Sequence, residues 1–204
     1  MVKELRERTG AGMMDCKRAL TENGGDMEAA IEAMRKSGAA KADKKAGRVA
    51  AEGQIVIATR ADGKEAVIVE INCETDFVAK DDNFVNFANE VADAVLASGV
   101  TEAEEINSLP LSDGKLVSEK RTELVSKIGE NIQVRRAQLV KSDDGLVASY
   151  SHGVRIGVLV NLKGGDQDLG RDVAMHIAAS RPVCISEEQV PADLLEKEKE
   201  IFSA

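Results

Sequence analysis

A carboxylate and an aromatic ring stand side by side at Asp76 and Phe77, in the stretch Asn72-Cys73-Glu74-Thr75-Asp76-Phe77-Val78-Ala79-Lys80. The stretch lies where an apolar run gives way to a helical pattern. The chain has four Phe, one Tyr and no Trp, so a large ring at a turn is an unusual use of a scarce residue. A rigid ring beside a carboxylate is suited to entering a pocket on another protein. The competing reading is that Phe77 packs into the core and Thr75 or Asp76 caps the next helix. On residue chemistry alone, the preference of Phe for burial favours that second reading.

Other chemistry is thinly represented. There is no GxxxxGK[ST], and no GxGxxG follows a strand, so no nucleotide-binding cradle is expected. Gly10-Ala11-Gly12 lies between two helical stretches and reads as a turn. His152 and His176 are 24 positions apart, and no Cys stands near either at ligand spacing, so neither a metal site nor a cofactor is expected. Cys73 with His152 or His176 is a pairing of a kind that any protein contains, with no activating constellation around it. The chain therefore reads as a binding protein and not as an enzyme. Glu187-Glu188 reads as a solvated turn.

The 204 residues are 43% hydrophobic and 31% charged, the balance of a globular protein with real cores. The longest apolar runs, such as Ala66-Val67-Ile68-Val69, fall far short of the ~20 residues that cross a bilayer. The charged, amphipathic start Met1-Val2-Lys3-Glu4 has no apolar signal core. Cys16, Cys73 and Cys184 are odd in number and contain no CxxC pair, which fits reduced thiols and a cytoplasmic location. Residues 1–54 hold 11 Lys+Arg against 9 Asp+Glu, whereas the other 150 hold 16 against 27. So acidic a body argues against a nucleic-acid-binding surface. The one basic cluster, from Arg35-Lys36 through Lys41, Lys44, Lys45 and Arg48, lacks interleaved aromatics and reads as a solvated linker helix.

These residues need elements to hold them. Three short helices are predicted over 2–8, 13–22 and 27–36, with Asp26 capping the third and Ala30, Ile31 and Met34 facing inward. From residue 53 the period changes. Strands are predicted over 54–60 and 65–71 around an Asp62-Gly63 hairpin turn, then helices over about 82–97 and 113–128, with Leu116, Val117, Leu124 and Ile128 inward in the latter. Strands follow over 132–140, 146–150 and 154–162, then a helix through Val173, Ile177 and Ala178, which places His176 on its apolar side. A last helix begins near 192. The fold class is α+β: a small N-terminal three-helix domain, then a two-part core of antiparallel strands with helices packed on them. The divisions fall at 1–38, a basic linker 39–53, core halves 54–140 and 141–182, and 183–204.

Taken together, the sequence resembles bacterial elongation factor Ts. The resemblance rests on residues 2–20, from Val2-Lys3-Glu4-Leu5-Arg6-Glu7-Arg8-Thr9-Gly10-Ala11-Gly12 through Leu20, with Asn23-Gly24-Gly25-Asp26. It rests also on 72–80, and on His152-Gly153-Val154-Arg155-Ile156-Gly157 with Met175-His176-Ile177-Ala178-Ala179. It implies a guanine-nucleotide exchange factor for the translational GTPase elongation factor Tu, with an N-terminal domain similar to ubiquitin-associated domains. By similarity Lys3, Arg6, Met13, Met14 and Lys17 touch the partner from the N-terminal helices. Thr75, Asp76, Phe77 and Val78 approach a helix beside the nucleotide, with the ring inserting, and His152 contacts the same partner domain. As neighbours on a helix, Met13 and Met14 lie about 100° apart, which would place one in the core and one outside.

Members of that family continue past Phe202 through a helical insertion before completing the second core half. The present chain is therefore expected to be C-terminally shortened, with an exposed sheet edge. Some members dimerise, and the resemblance leaves both oligomeric states open. Two other readings compete: a protein-interaction scaffold working through residues 1–37 alone, and an RNA-associated translation protein working through Lys41 to Arg48.

Overall fold

Short turns cut the first residues into helices that share one small core. The protein, described for residues 1–203 by a computed structural model, begins with α1 (Val2–Thr9), α2 (Met13–Glu22) and α3 (Met27–Lys45). Asp26 caps α3 as predicted, its carboxylate accepting the Ala29 N–H at 2.9 Å. Leu5, Cys16, Ala19, Leu20 and Ala30 form the buried cluster, with Ile31 and Met34 at its margin. The predicted end of the third helix near Lys36 is corrected: α3 runs nine residues further, to Lys45. Ala39, Ala40, Lys41, Ala42, Lys44 and Lys45 are strong helix formers, and the lone Gly38 costs too little to stop them. The basic run therefore lies largely on a helix, where Lys36 pairs with Glu32 and Lys41 lies 3.9 Å from Asp15.

The hairpin is as expected. β1 (Glu52–Thr59) pairs with β2 (Glu65–Cys73) from Glu52↔Cys73 to Thr59↔Ala66. Then come α4 (Asp76–Ala79), α5 (Asp82–Ser98), α6 (Ala103–Ile106), α7 (Val117–Ile128) and β3 (Gln133–Lys141). β3 pairs antiparallel with β2, so the sheet order is β1-β2-β3. A register shift at Glu70/Ile71 brings both Arg135 and Arg136 against the Glu70 carboxylate. β4 (Leu146–His152) and β5 (Ile156–Leu162) form a second, two-stranded sheet, followed by α8 (Gln167–Ser180) and α9 (Ala192–Ser203).

Three expectations change. α4 and α6 are single turns too short to show periodicity. α7 begins at Val117 and not near 113, because the Asp113 carboxylate accepts the Lys115 N–H and makes a turn there. Leu116 consequently becomes the N-cap, 39% exposed, with its N–H held by the Glu119 carboxylate at 3.0 Å, and Ile128 is only half-buried. β5 starts at Ile156 because Gly153-Val154-Arg155 forms the hairpin turn.

β2 is buried on both faces. Val67, Val69, Ile71 and Cys73 point into the main core, against Phe84, Phe87, Ala88, Val91, Ala92 and Val95 of α5 and Val117, Leu124 and Val125 of α7. Each fully buried Val, Ile or Phe among these contributes roughly 1.5–3 kcal/mol. The opposite face, with Ile55, Ile57 and Ile68, takes the second sheet at Gly157, where a methyl group would stand 2.6 Å from Ile55 Cγ2. α3 packs along α7, and α8 covers β4 and β5.

α8 approaches β4 closely at Gly170. A Cβ on Gly170 would lie 2.4 Å from the Ala148 Cβ, an atom fixed to its strand. Gly170→Ala would gain up to about 1 kcal/mol of helix propensity, against an overpacking cost of roughly 1–3 kcal/mol. A net loss near 1 kcal/mol is expected from urea unfolding; a more stable variant would contradict the close docking of α8.

Candidate functional site

The β-ladder ends at Cys73, and the backbone beyond it is held by side chains. The Glu130 carboxylate, just past α7, accepts the Glu74 and Thr75 N–H groups at 3.0 Å each and the Thr75 hydroxyl at 2.7 Å. In return the Glu74 carboxylate accepts the Asn131 N–H at 2.6 Å. Asn131 donates its side-chain N–H groups to the carbonyls of Arg48 (2.8 Å) and Ala46 (3.3 Å), and the Arg48 guanidinium lies 3.5 Å from Glu74. Three segments meet here: the chain leaving α3, the end of β2, and the start of β3.

This junction presents α4. Thr75 is the N-cap, its hydroxyl accepting the Val78 N–H at 3.3 Å, while the Gln54 side chain donates to the Ala79 carbonyl at 2.5 Å. Val78 and Ala79 are buried in the main core. Asp76 and Phe77 fall on the other side of the turn, and Phe77 is 81% exposed. The burial that Phe chemistry alone favours is thus overturned: α4 has only one inward face, and Val78 and Ala79 occupy it. The same geometry turns the Val78 side chain inward, where it anchors the turn from within. Thr75 thus caps the next helix, α4, as the competing reading has it, while Asp81 caps α5 by accepting the Asn83 N–H.

The electrostatics are local. The Lys80 ammonium, 3.0 Å from Asp76, holds its carboxyl below the usual carboxylate range, with a smaller contribution from Arg155. Burial, and secondarily the Glu130 charge, push the Cys73 thiol up to about 12. Its Sγ donates to the Thr75 carbonyl at 3.2 Å. That thiol stays neutral and serves packing.

The β4–β5 hairpin reaches the same end of the sheet. The Val154 carbonyl accepts the Ile55 N–H at 2.7 Å, and Arg155 pairs with Glu52. His152 is exposed at the end of β4, its Nδ1 3.1 Å from the Tyr150 hydroxyl and its ring stacked on that phenol. From the other side, the turn between α1 and α2 abuts Lys127, whose ammonium donates to Asn83 at the start of α5. Met13 and Met14 follow that turn and are 60% and 74% exposed. Neither is core, because the small cluster beneath is already filled by Cys16, Ala19 and Leu20. Lys3, Arg6 and Lys17 are exposed on α1 and α2. His176 is corrected from the apolar side to an exposed one: α8 buries Gly170 and Ala174, and two residues beyond Ala174 the helix has turned outward.

Among the described residues no group of three or more His, Cys, Asp and Glu is placed to hold a metal ion, and no helix is long and apolar enough to cross a membrane. Glu74, Glu130, Asn131 and Arg155 were not singled out from sequence. A Gly-Glu-Asn run after a helix carries no sign that its carboxylate will reach back 55 residues.

A family model described as Elongation factor TS matches residues 74–204. Elongation factor Ts of Methylococcus capsulatus is 62% identical over 204 residues, spanning 100% of this chain and 70% of that protein. The proteins of the same name from Thioalkalivibrio sulfidiphilus and Arthrospira platensis are each 60% identical across the whole chain, which spans 70% and 82% of their lengths.

Because Phe77 is exposed, Phe77→Ala is expected to change unfolding free energy by less than about 0.5 kcal/mol, whereas Phe84→Ala should cost roughly 3–5 kcal/mol. A loss above about 1 kcal/mol at Phe77 in urea titrations would mean that the ring packs on the fold. In a thiol titration of the folded chain at about pH 8, Cys184 should react and Cys73 should not; rapid labelling of Cys73 would contradict its burial.

Proposed function

The chain belongs to the elongation factor Ts family and serves translation elongation, and from that premise we propose that it binds elongation factor Tu and promotes GDP release. The observation that carries this reading is Phe77, a large apolar ring 81% exposed on a turn that is bonded by Glu130 at its start and by Gln54 at its end. An exposed ring on a rigid mount costs burial energy in the free protein. Insertion between the side chains of a partner recovers it.

A GTPase holds GDP through a backbone cradle around the phosphates and through Mg²⁺. A ring driven beside that cradle moves one helix, and packed cores respond by switching between discrete arrangements, not by deforming smoothly. Met13, Met14, Lys3, Arg6 and Lys17 would supply the first docking surface, and Asp76 and Phe77 the wedge. Thr75 caps the wedge and Val78 anchors it, while His152 contributes from the hairpin on the same end of the sheet. Binding energy from these contacts offsets the lost GDP contacts. The coupling is reciprocal, so bound nucleotide weakens the factor's grip by the same ratio. No covalent step is required, and no cofactor enters. The acidic body gives an RNA-associated role no support.

Release of a fluorescent GDP analogue from elongation factor Tu tests the reading. The chain should accelerate release, and Phe77→Ala should reduce the effect about 30-fold, as expected where truncating a buried interface aromatic costs ~2 kcal/mol. Equal rates with both proteins would sink the wedge mechanism while leaving exchange intact. No acceleration by the unmodified chain would sink the exchange role itself.

A further inference from the structure

We propose that Glu130 is the positioning residue of the Phe77 wedge, standing in for the strand that β2 lacks at its end. The inference rests on the exchange reading above and deepens it.

β2 loses both ladder partners at nearly the same point. β1 pairs with it only as far as Cys73, and β3 only as far as Asn72. The next two backbone N–H groups, of Glu74 and Thr75, have no strand to bond. One carboxylate oxygen of Glu130 accepts both, and the other accepts the Thr75 hydroxyl. A carboxylate suits this place because it offers two acceptor oxygens, and charge raises the strength of each bond. Glu74 reciprocates by accepting the Asn131 N–H, so the two loops are tied in both directions.

The tie matters because α4 starts directly beyond it. α4 is four residues long, a single turn, and an isolated turn of helix does not form in water. Its direction is therefore set from outside: by Val78 and Ala79 packing beneath, by Gln54 on the Ala79 carbonyl, and by Glu130 at the N-cap. The first two fix how deep α4 sits. Glu130 fixes the residue from which the turn starts, and so the azimuth of the ring two positions on. The main core, built on α5, α7 and the sheet, does not include Glu130. Its loss should leave the fold while loosening the wedge.

The experiment is a cycle on the full chain, with Phe77→Ala, Glu130→Ala, Glu130→Gln and the double variant Phe77→Ala/Glu130→Ala. Amide hydrogen exchange at Glu74, Thr75 and Val78 is read beside the maximal GDP-release rate and the concentration giving half of it. Glu130→Ala should keep the unfolding transition, speed exchange of the Glu74 and Thr75 amides, and lower the maximal rate about 10- to 100-fold, the scale on which an ångström of misplacement acts. Glu130→Gln, whose amide oxygen still accepts the two N–H groups, should recover most of the rate. The double variant should be no slower than Phe77→Ala, since Glu130 acts through the ring. A Glu130→Ala effect that persists at the same factor without Phe77 would overturn the proposal, as would wild-type rates in Glu130→Ala. If Glu130→Ala does not fold, Glu130→Asp, whose shorter side chain draws the carboxylate back from the Glu74 and Thr75 N–H groups while leaving the Thr75 cap in place, is read in the same cycle. If the unmodified chain does not accelerate release, the exchange reading falls, whereas unchanged amide protection in Glu130→Ala refutes the positioning role alone.

Discussion

Burial of β2 on both faces is the constraint on which the rest of the structure depends. Alternate residues of one nine-residue strand serve two layers: Val67, Val69, Ile71 and Cys73 meet the helices, while Ala66, Ile68 and Asn72 lie on the side of the β4–β5 hairpin. Because side chains alternate strictly along a strand, a slip of one residue would exchange the two sets and destroy both interfaces. The register of β1 and β3, the seat of α5 and the docking of the second sheet are thereby specified together. So is the place where the strand ends, which is where the proposed wedge begins.

That ending is a change of bonding partner. Up to Cys73 the backbone is satisfied by neighbouring strands; beyond it, by Glu130, Gln54 and the Thr75 hydroxyl. Side-chain donors and acceptors can hold a backbone in conformations that no ladder permits, and here they hold a single helical turn with its apolar residues inward and its ring outward. An exposed aromatic side chain on a flexible loop would bind a partner at the entropic cost of ordering that loop. On the proposed reading, much of that cost is met during folding, when the junction of three segments forms.

The same junction joins the two ends of the proposed docking face. Asn131 holds the carbonyls of Ala46 and Arg48 just past α3, and Glu74 holds both Asn131 and Arg48. The N-terminal helices are thus bonded to the base of α4 as well as packed through α3 on α7. Lys127, between the α1–α2 turn and Asn83, gives a second link. Surfaces distant in sequence are tied to one junction, which on the proposed reading suits parts that engage a partner in a set geometry.

Much of this was determined by the sequence alone. The α+β class, the Asp26 cap, the Asp62-Gly63 hairpin and the inward stripe of α5 come from period, capping chemistry and turn residues, all of which act within a few positions. The family was legible in 72–80 and its companion motifs. Helix ends were less so, as α3 and α7 show, because a boundary is a balance of small propensities and local caps. Exposure was the part that only the tertiary structure decided. Phe77 has the burial preference of any Phe, and His176 lies next to an apolar stripe; each is outside because other residues, Val78 with Ala79 and Gly170 with Ala174, take the inward face first. Glu130 and Asn131 show the limit most plainly, since hydrogen bonds across 55 residues leave no periodic trace in the chain and exist only once the core has brought their partners together.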